Sequence, residues 1–286
     1  MEPRDVRLVG VVGAGIMGSG IVEIVARSGA RVRFVEGSEP LVSSGRAAVE
    51  RSLTRAAERG KLEQSEAEAA LGRIEGTTEL AALDAVHLVI EAATESVDAK
   101  LAIFRALGEV TREDVILASN TSSIPIVELA VASGRPERVL GMHFFNPPPV
   151  MELLELTPAI TTSEETLAFA RGYGELLGKR CVVAKDQAGF IVNRLLVPYL
   201  YDAIRLYEDG FASREDLDDS VRLGLAHPLG PLALTDLIGL DTMLSIGEVL
   251  LAEFGDPRYA PPPLLRRMVA ARRLGRKTGS GFYDYG

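Results

Sequence analysis

Residues 6–27 read VRLVGVVGAGIMGSGIVEIVAR, and the order of residue types in this stretch decides the fold. Val6–Val12 is a short apolar run rich in β-branched residues, which predicts a strand. The chain then turns through Gly13-Ala14-Gly15-Ile16-Met17-Gly18 and opens into a helical pattern that runs to Arg27. A second strand, Arg31–Val35, ends in Glu36. A lone GxGxxG is weak evidence. Here it follows a strand, precedes a helix and is followed by an acid 18 residues after Gly18, the context that a dinucleotide-binding βαβ unit requires. Gly13, Gly15 and Gly18 let the backbone approach a pyrophosphate, and the helix start at Ile16 and Met17 offers it unpaired N–H groups. Glu36 can accept hydrogen bonds from an adenine ribose and would repel a 2′-phosphate, so NAD is the expected cofactor rather than NADP. Arg31 and Arg33 are read as exposed strand residues that leave a little room for NADP. The bland alternative is a glycine-rich turn with no ligand. Between Leu8 and Ala26 the only charge is Glu23, a length that invites a membrane-span reading. The glycines and the strand–turn–helix pattern explain the stretch better.

The whole chain sets the bounds. Its 286 residues allow two domains. An apolar fraction of 47% and a charged fraction of 25% are those of a soluble globular protein. A net charge of −9 argues against nucleic acid as the main partner, because phosphate binding needs clustered cations. It leaves room for an anionic small molecule met by a local basic patch. The single cysteine, Cys181, excludes an intrachain disulfide and a cysteine-based zinc site, and no metal is expected. This usage fits a reducing, cytoplasmic setting. Met1–Asp5 mixes both charge signs and lacks the basic lead of a signal peptide.

Outward from the opening unit, strands and helices alternate. Residues 38–72 read as two helices, on which Arg51, Arg55 and Arg59 fall at i, i+4 and i+8 along one face. That stripe is either a solvated face near Glu50 and Glu58 or a cradle for a phosphorylated handle. Val86–Ile90 is a strand ending at Glu91, and Val97–Val110 is a helix. Val115–Ala118 is a strand that runs into Ser119-Asn120-Thr121-Ser122-Ser123. Ligands of an open α/β sheet sit beyond the carboxyl ends of its strands, so this polar run is a site candidate, with a helix N-cap as the alternative. A further strand ends in His143, and Asn146-Pro147-Pro148-Pro149 breaks it. A second apolar run, Val150–Leu156, carries Glu152 and Glu155. A histidine at a strand end with carboxylates returning beside it is a candidate acid/base, against the commoner satisfied structural histidine. A helix over Ser163–Leu177 and a strand over Arg180–Ala184 complete the sheet, with Cys181 read as a packed thiol. From Phe190 onward no strand is read; the helical patterns cover Phe190–Glu208, Arg214–Leu223, Leu232–Phe254 and Leu264–Arg273. A boundary near 187 therefore separates a Rossmann-like, doubly wound α/β domain (1–187) from an all-helical domain (188–286), with Asn193 just past the junction.

Several motifs in order resemble the 3-hydroxyacyl-CoA dehydrogenase family in its short, single-function form, like the bacterial 3-hydroxybutyryl-CoA dehydrogenases. They are Gly13–Gly18, Glu91-Ala92-Ala93-Thr94-Glu95, Ser119–Ser123, His143-Phe144-Phe145-Asn146-Pro147, Gly189–Leu196 and Lys277-Thr278-Gly279-Ser280-Gly281-Phe282-Tyr283. The resemblance implies that His143 is the general base, that Glu155 holds its imidazole, and that Ser122 and Asn193 position the substrate. It also implies NAD contacts from Glu95, Lys100, Asn120, Ser122, Asn146 and Lys277, and coenzyme A contacts from Ser52 and Arg59, to which the arginine stripe adds Arg55. The family carries lysine where this chain has Arg59, which keeps the charge and changes the geometry, and aspartate where it has Glu36, which preserves ribose recognition with a shifted affinity. Register counting from a hairpin turning at Pro147-Pro148 would put Glu152 opposite His143, and the two glutamates face opposite sides of a regular strand. The family pattern favours Glu155, which requires an irregular proline loop.

The implied reaction is NAD-dependent oxidation of (S)-3-hydroxyacyl-CoA to 3-ketoacyl-CoA. The acyl-CoA substrate is the expected partner, together with a second copy of the chain docked through the helical domain as a homodimer. Neither nucleic acid nor a membrane is expected. A related dehydrogenase of a free hydroxy acid, of L-gulonate or carnitine type, is the rival reading. A third is an NAD-binding structural protein like the crystallin relatives. The HFFNP and NTSS stretches favour the CoA class, and the intact set of His143, Glu155, Ser122 and Asn193 argues against the non-catalytic reading.

Overall fold

A computed structural model describes residues 2–286. The chain forms two compact units, which meet in sequence at Asp186 and Gln187. The first unit opens with β1 (Leu8–Val12), α1 (Ile16–Arg27), β2 (Arg31–Val35), α2 (Glu39–Glu58), α3 (Gln64–Leu71) and β3 (Ile74–Thr77). It continues with β4 (Leu88–Glu91), α4 (Val97–Val110), β5 (Ile116–Ser119), α5 (Ile126–Ala132), β6 (Val139–Phe144), β7 (Leu153–Pro158), α6 (Glu164–Leu176) and β8 (Arg180–Val183). One eight-stranded sheet results, in the order β3-β2-β1-β4-β5-β6-β7-β8. All neighbours are parallel except β6 and β7. The order reverses between β1 and β4, which makes the end of β1 a topological switch point.

Burial follows from this layering. β1, β4, β5 and β6 are buried along their whole lengths, as parallel strands covered on both faces must be. One core packs Ile21, Val25, Phe34, Leu53 and Tyr173 against one face of the sheet, and the other packs Leu83, Phe104, Leu107, Leu117 and Leu129 against the opposite face. Helix starts are set by local chemistry: Ser96 and Ser163 accept from Ala99 N–H and Thr166 N–H at the first turns of α4 and α6. α5 follows Pro125 and has no such cap; instead both Asp186 carboxylate oxygens accept from Ile126 N–H (2.8 Å) and Val127 N–H (2.9 Å).

Two sequence expectations are corrected here. β3 was not foreseen: Ile-Glu-Gly-Thr is short and interrupted by a glycine. Gly76 is required there, because a Cβ would lie 2.6 Å from both Phe34 and Val42. In the second unit, Leu232–Phe254 is not one helix. α7 (Val192–Glu208) and α8 (Arg214–Gly224) are followed by α9 (Pro231–Ile238) and α10 (Leu240–Phe254), and α11 (Pro263–Ala270) comes last. Gly239 separates α9 from α10 with φ at 102°, a conformation a helix cannot contain.

The second unit buries its own core, in which Val197, Leu200, Tyr201, Leu232, Leu240 and Leu265 are fully covered. Two buried carboxylates organise it. Asp218 accepts from Leu232 N–H and Ala233 N–H at the start of α9, and from the Tyr283 hydroxyl. Asp236 accepts from Phe282 N–H, Tyr283 N–H and the Tyr285 hydroxyl, fastening the segment after α11. Burial, and then the hydrogen bond to Asp218, push the Tyr283 phenol far above its ordinary value.

Candidate active site

The glycine turn is built by exclusion of side chains. Gly13 takes φ at 89°, and a Cβ there would lie 2.8 Å from the Ala92 carbonyl. A Cβ on Gly18 would lie 1.9 Å from the Gly13 carbonyl, so α1 packs against the turn only with glycine at 18. Gly15 caps α1 without any side-chain acceptor, and a Cβ on it would meet nothing within 4 Å. The turn is thus an open cradle at a helix start, with Ile16 79% exposed at its lip and Met17 packed against the core. This is the geometry that suits a pyrophosphate. Glu36, at the end of β2, accepts from Ala14 N–H at 2.5 Å. The acid expected to read a ribose therefore also braces the turn.

The carboxyl ends of the next strands are stitched to this turn. Gly13 N–H donates to the Val35 carbonyl, Ala92 N–H to Val12 and Asn120 N–H to Glu91. Asn120 Oδ1 accepts from Phe144 N–H at 2.8 Å, which fixes the end of β6 next to His143.

His143 and Glu155 stand directly opposite each other across the β6–β7 ladder. His143 Nδ1 lies 2.8 Å from Glu155 Oε2, with the carboxylate fully buried and the imidazole side chain 9% exposed. Cross-strand partners of this kind are held by backbone geometry. The structure pairs the histidine with Glu155 and leaves Glu152 exposed before β7, because the intervening loop, residues 145–152, is longer than a tight turn. Two features hold that loop. Pro148 packs on α1 where a Cβ on Gly20 would lie 2.6 Å away. The buried Lys179 ammonium donates to the Pro148 and Met151 carbonyls at 2.6 and 2.8 Å. Burial, and then the positive charge of Arg27, push that ammonium below the ordinary lysine value, with Glu152 opposing.

Glu95 gathers the Ser119–Ser123 segment. Its Oε1 accepts from the Thr121 hydroxyl (2.5 Å), Ser122 N–H (2.9 Å), and the Ser122 and Ser123 hydroxyls (3.3 and 3.2 Å). Burial would raise the Glu95 carboxyl, but the Lys100 charge and these hydrogen bonds outweigh it and hold the group below its ordinary value. The run Ser119–Ser123 is thus a cross-linked loop rather than a simple helix cap. Lys100 differs from the expected picture: its side chain is 1% exposed and its ammonium is bound by both Glu91 oxygens (2.6 and 2.7 Å), with Glu95 Oε2 at 3.5 Å. Glu91 and Lys179 were not singled out as site residues from the sequence. A signal existed for the Glu91 partnership, since Lys100 shares the buried face of α4 with Phe104 and Leu107.

The remaining candidates are placed as follows. Asn146 is exposed in the proline loop. Ser52 and Arg55 lie on α2 and Arg59 caps its end. Arg51 and Arg55 line a hollow of about 470 Å³ on α2, together with Glu50 and Glu58. Asn193 and Lys277 belong to the second unit, Asn193 as the second residue of α7 and Lys277 on a turn where its ammonium pairs with Asp241 at 2.5 Å.

A glycine cradle at the switch point of a mostly parallel sheet, in one unit with a buried histidine–carboxylate pair, is the arrangement of a dinucleotide-binding domain. Comparison with known proteins narrows this. Residues 8–187 match the model of the 3-hydroxyacyl-CoA dehydrogenase NAD binding domain, and residues 189–285 match that of the 3-hydroxyacyl-CoA dehydrogenase C-terminal domain. The chain is 50% identical to 3-hydroxybutyryl-CoA dehydrogenase of Mycobacterium tuberculosis, over 98% of this chain and 99% of that one. The crystal structure of M. tuberculosis FadB2 superimposes with a TM-score of 0.97 at 49% identity, covering 98% of this chain and 99% of that chain. That of (S)-3-hydroxybutyryl-CoA dehydrogenase PaaH1 from Ralstonia eutropha gives 0.94 at 47% identity, covering 99% and 100%. The chain belongs to the 3-hydroxyacyl-CoA dehydrogenase family.

Proposed function

We propose that this dehydrogenase oxidises (S)-3-hydroxyacyl-CoA esters, short ones such as 3-hydroxybutyryl-CoA in particular, and reduces the 3-ketoacyl-CoA in reverse. The observation that carries the reading is the buried 2.8 Å contact between His143 Nδ1 and Glu155. With Nδ1 engaged by the carboxylate, the ring exchanges the substrate proton through Nε2, as a general base needs a fixed tautomer. As the 3-hydroxyl proton moves to the imidazole, Glu155 stabilises the imidazolium. Hydride acceptance from C3 is the chemistry that bound NAD⁺ supplies. Ser122 and Asn193 hydrogen-bond the reacting oxygen and fix its place. Gly13, Gly15, Ile16, Met17 and Gly18 cradle the pyrophosphate, Glu36 receives the ribose, and Glu95, Asn120, Ser122, Asn146 and Lys277 line the rest of the cofactor's path. Lys100, being buried, serves the cofactor through Glu95. Ser52, Arg55 and Arg59 receive the coenzyme A phosphates.

The second unit (188–286) contributes Asn193 as a substrate contact and carries a homodimer contact. Leu195, Phe211, Leu223 and Leu225, each 62–77% exposed on that unit, support the dimer. No described helix is long and apolar enough to cross a membrane. The single cysteine supports a cytoplasmic setting.

The test is NADH oxidation with acetoacetyl-CoA, run beside NADPH and beside free acetoacetate. Turnover with acetoacetyl-CoA and NADH is expected. Activity confined to the free acid would move the enzyme to the gulonate or carnitine type and leave the α2 arginines as plain surface.

A further inference from the structure

Glu91, at the end of β4, is fully buried and makes five contacts that join two loops of the site. Its Oε1 accepts from Ala93 N–H at 2.7 Å and from the Lys100 ammonium at 2.6 Å. Its Oε2 accepts from Lys100 at 2.7 Å and from the Ser119 hydroxyl at 2.7 Å. Its backbone carbonyl accepts from Asn120 N–H. Ser119 Oγ in turn accepts from Thr121 N–H at 3.2 Å. Lys100 then faces Glu95, the carboxylate that holds Ser122 by its N–H and its hydroxyl. The ends of β4 and β5 are thereby closed into one ring of hydrogen bonds and a 3.5 Å ion pair between Lys100 and Glu95, with Ser122 on its solvent side.

Stability offers little reason for such a pair. Replacing a buried ion pair by apolar residues of similar volume is often neutral or stabilising. What an ion pair supplies that an apolar pair does not is direction: each oxygen of Glu91 selects a particular donor. We propose that Glu91 is a positioning residue for the dehydrogenase reaction, acting through Lys100 and Ser119 on Glu95 and so on the placement of Ser122. This rests on the reading of Ser122 as a substrate contact. Displacement of a positioning group by about an ångström costs on the order of a hundredfold in turnover.

The test uses the full chain and the charge-free double variant Glu91→Gln/Lys100→Met, which leaves no buried charge unpaired. It is measured alone and combined with Ser122→Ala, by acetoacetyl-CoA reduction and by thermal unfolding. We expect a folded protein with kcat reduced ten- to a hundredfold, and less than a threefold further loss when Ser122 is already alanine. Should the double variant fail to fold, Ser119→Ala removes one member of the ring with both charges still paired, and the same non-additivity with Ser122→Ala is expected. Turnover like the parent's, or losses that multiply in full in the Ser122→Ala background, would overturn the inference. His143→Gln in the same assay keeps the two readings apart: if it turns over normally, or if the parent enzyme ignores acetoacetyl-CoA, the proposed function fails and this inference with it.

Discussion

Replacing Glu155 by glutamine tests the core of the proposed chemistry. The side chain keeps its shape, and an amide oxygen can still accept from His143 Nδ1, so the ring orientation survives. What disappears is the negative charge 2.8 Å from that nitrogen. A general base must start unprotonated, and in that form the variant loses only the difference between a charge-assisted and an ordinary hydrogen bond, about 1 kcal/mol. The state in which the imidazole has taken the substrate proton loses an ion pair. With charge centres about 4 Å apart and an effective dielectric of about 20, that attraction is about 4 kcal/mol. The difference, about 3 kcal/mol, is about two decades in rate. Steady-state NADH oxidation with acetoacetyl-CoA should therefore show kcat reduced roughly a hundredfold. NADH affinity, read by fluorescence titration, should stay within about twofold, because Glu155 lies on β7, away from the glycine turn at the end of β1. Turnover within about threefold of the parent would show that the proton does not pass through this pair.

Gly18→Ala places a Cβ 1.9 Å from the Gly13 carbonyl; the turn must open, and NADH affinity measured by fluorescence should fall by at least about tenfold. Glu36→Gln removes the charge expected to repel a 2′-phosphate, so the NADH-to-NADPH ratio of kcat/KM should shift toward NADPH by about tenfold, equivalent to about 1.4 kcal/mol; an unchanged ratio would place the discrimination elsewhere. Glu95 is held below its ordinary value of 4.5, and a depressed carboxyl contributes stability that is complete above the unfolded value and lost as pH falls through the folded one. The Tm gap between the parent and Glu95→Gln should thus be constant near neutrality and close below about pH 4.5; a gap independent of pH would contradict the assignment. Gly247→Ala would bring a Cβ to 1.9 Å from the Tyr201 hydroxyl, which donates to the Met243 carbonyl in the core of the second unit; a loss of about 1–3 kcal/mol is expected in urea unfolding.

The first half of the fold was legible because its signals are local. The glycine turn, Arg31–Val35 and the helix closed by Arg27 could be read from residue type and order, since each is dictated by sterics within a few residues. β3 escaped because four residues with a glycine among them carry no period, and its place is set by Phe34 and Val42 from other elements. The break at Gly239 was written in the sequence, but a glycine inside a helical pattern is tolerated often enough that only the positive φ decides it. Register counting alone chose Glu152 as the partner of His143, because it assumed a tight turn at the prolines. The true register depends on Lys179 and Gly20, which hold the loop from outside it. Resemblance assigns Lys100 to the cofactor contacts, yet its burial and its bond to Glu91 are tertiary facts that resemblance does not carry.

The pairing of His143 with Glu155 also bears on how such an enzyme is inherited. Successive residues of a strand face opposite sides. A single residue gained or lost within β6 or β7 would turn one member of the pair away and leave the other buried without it. A shift of two would restore the face but move the group about 7 Å along the sheet. Base and carboxylate therefore travel together: a chimera that takes β6 from one parent and β7 from another must match both the strand lengths and the loop clamp of residues 145–152. The heritable unit is the hairpin, not the histidine.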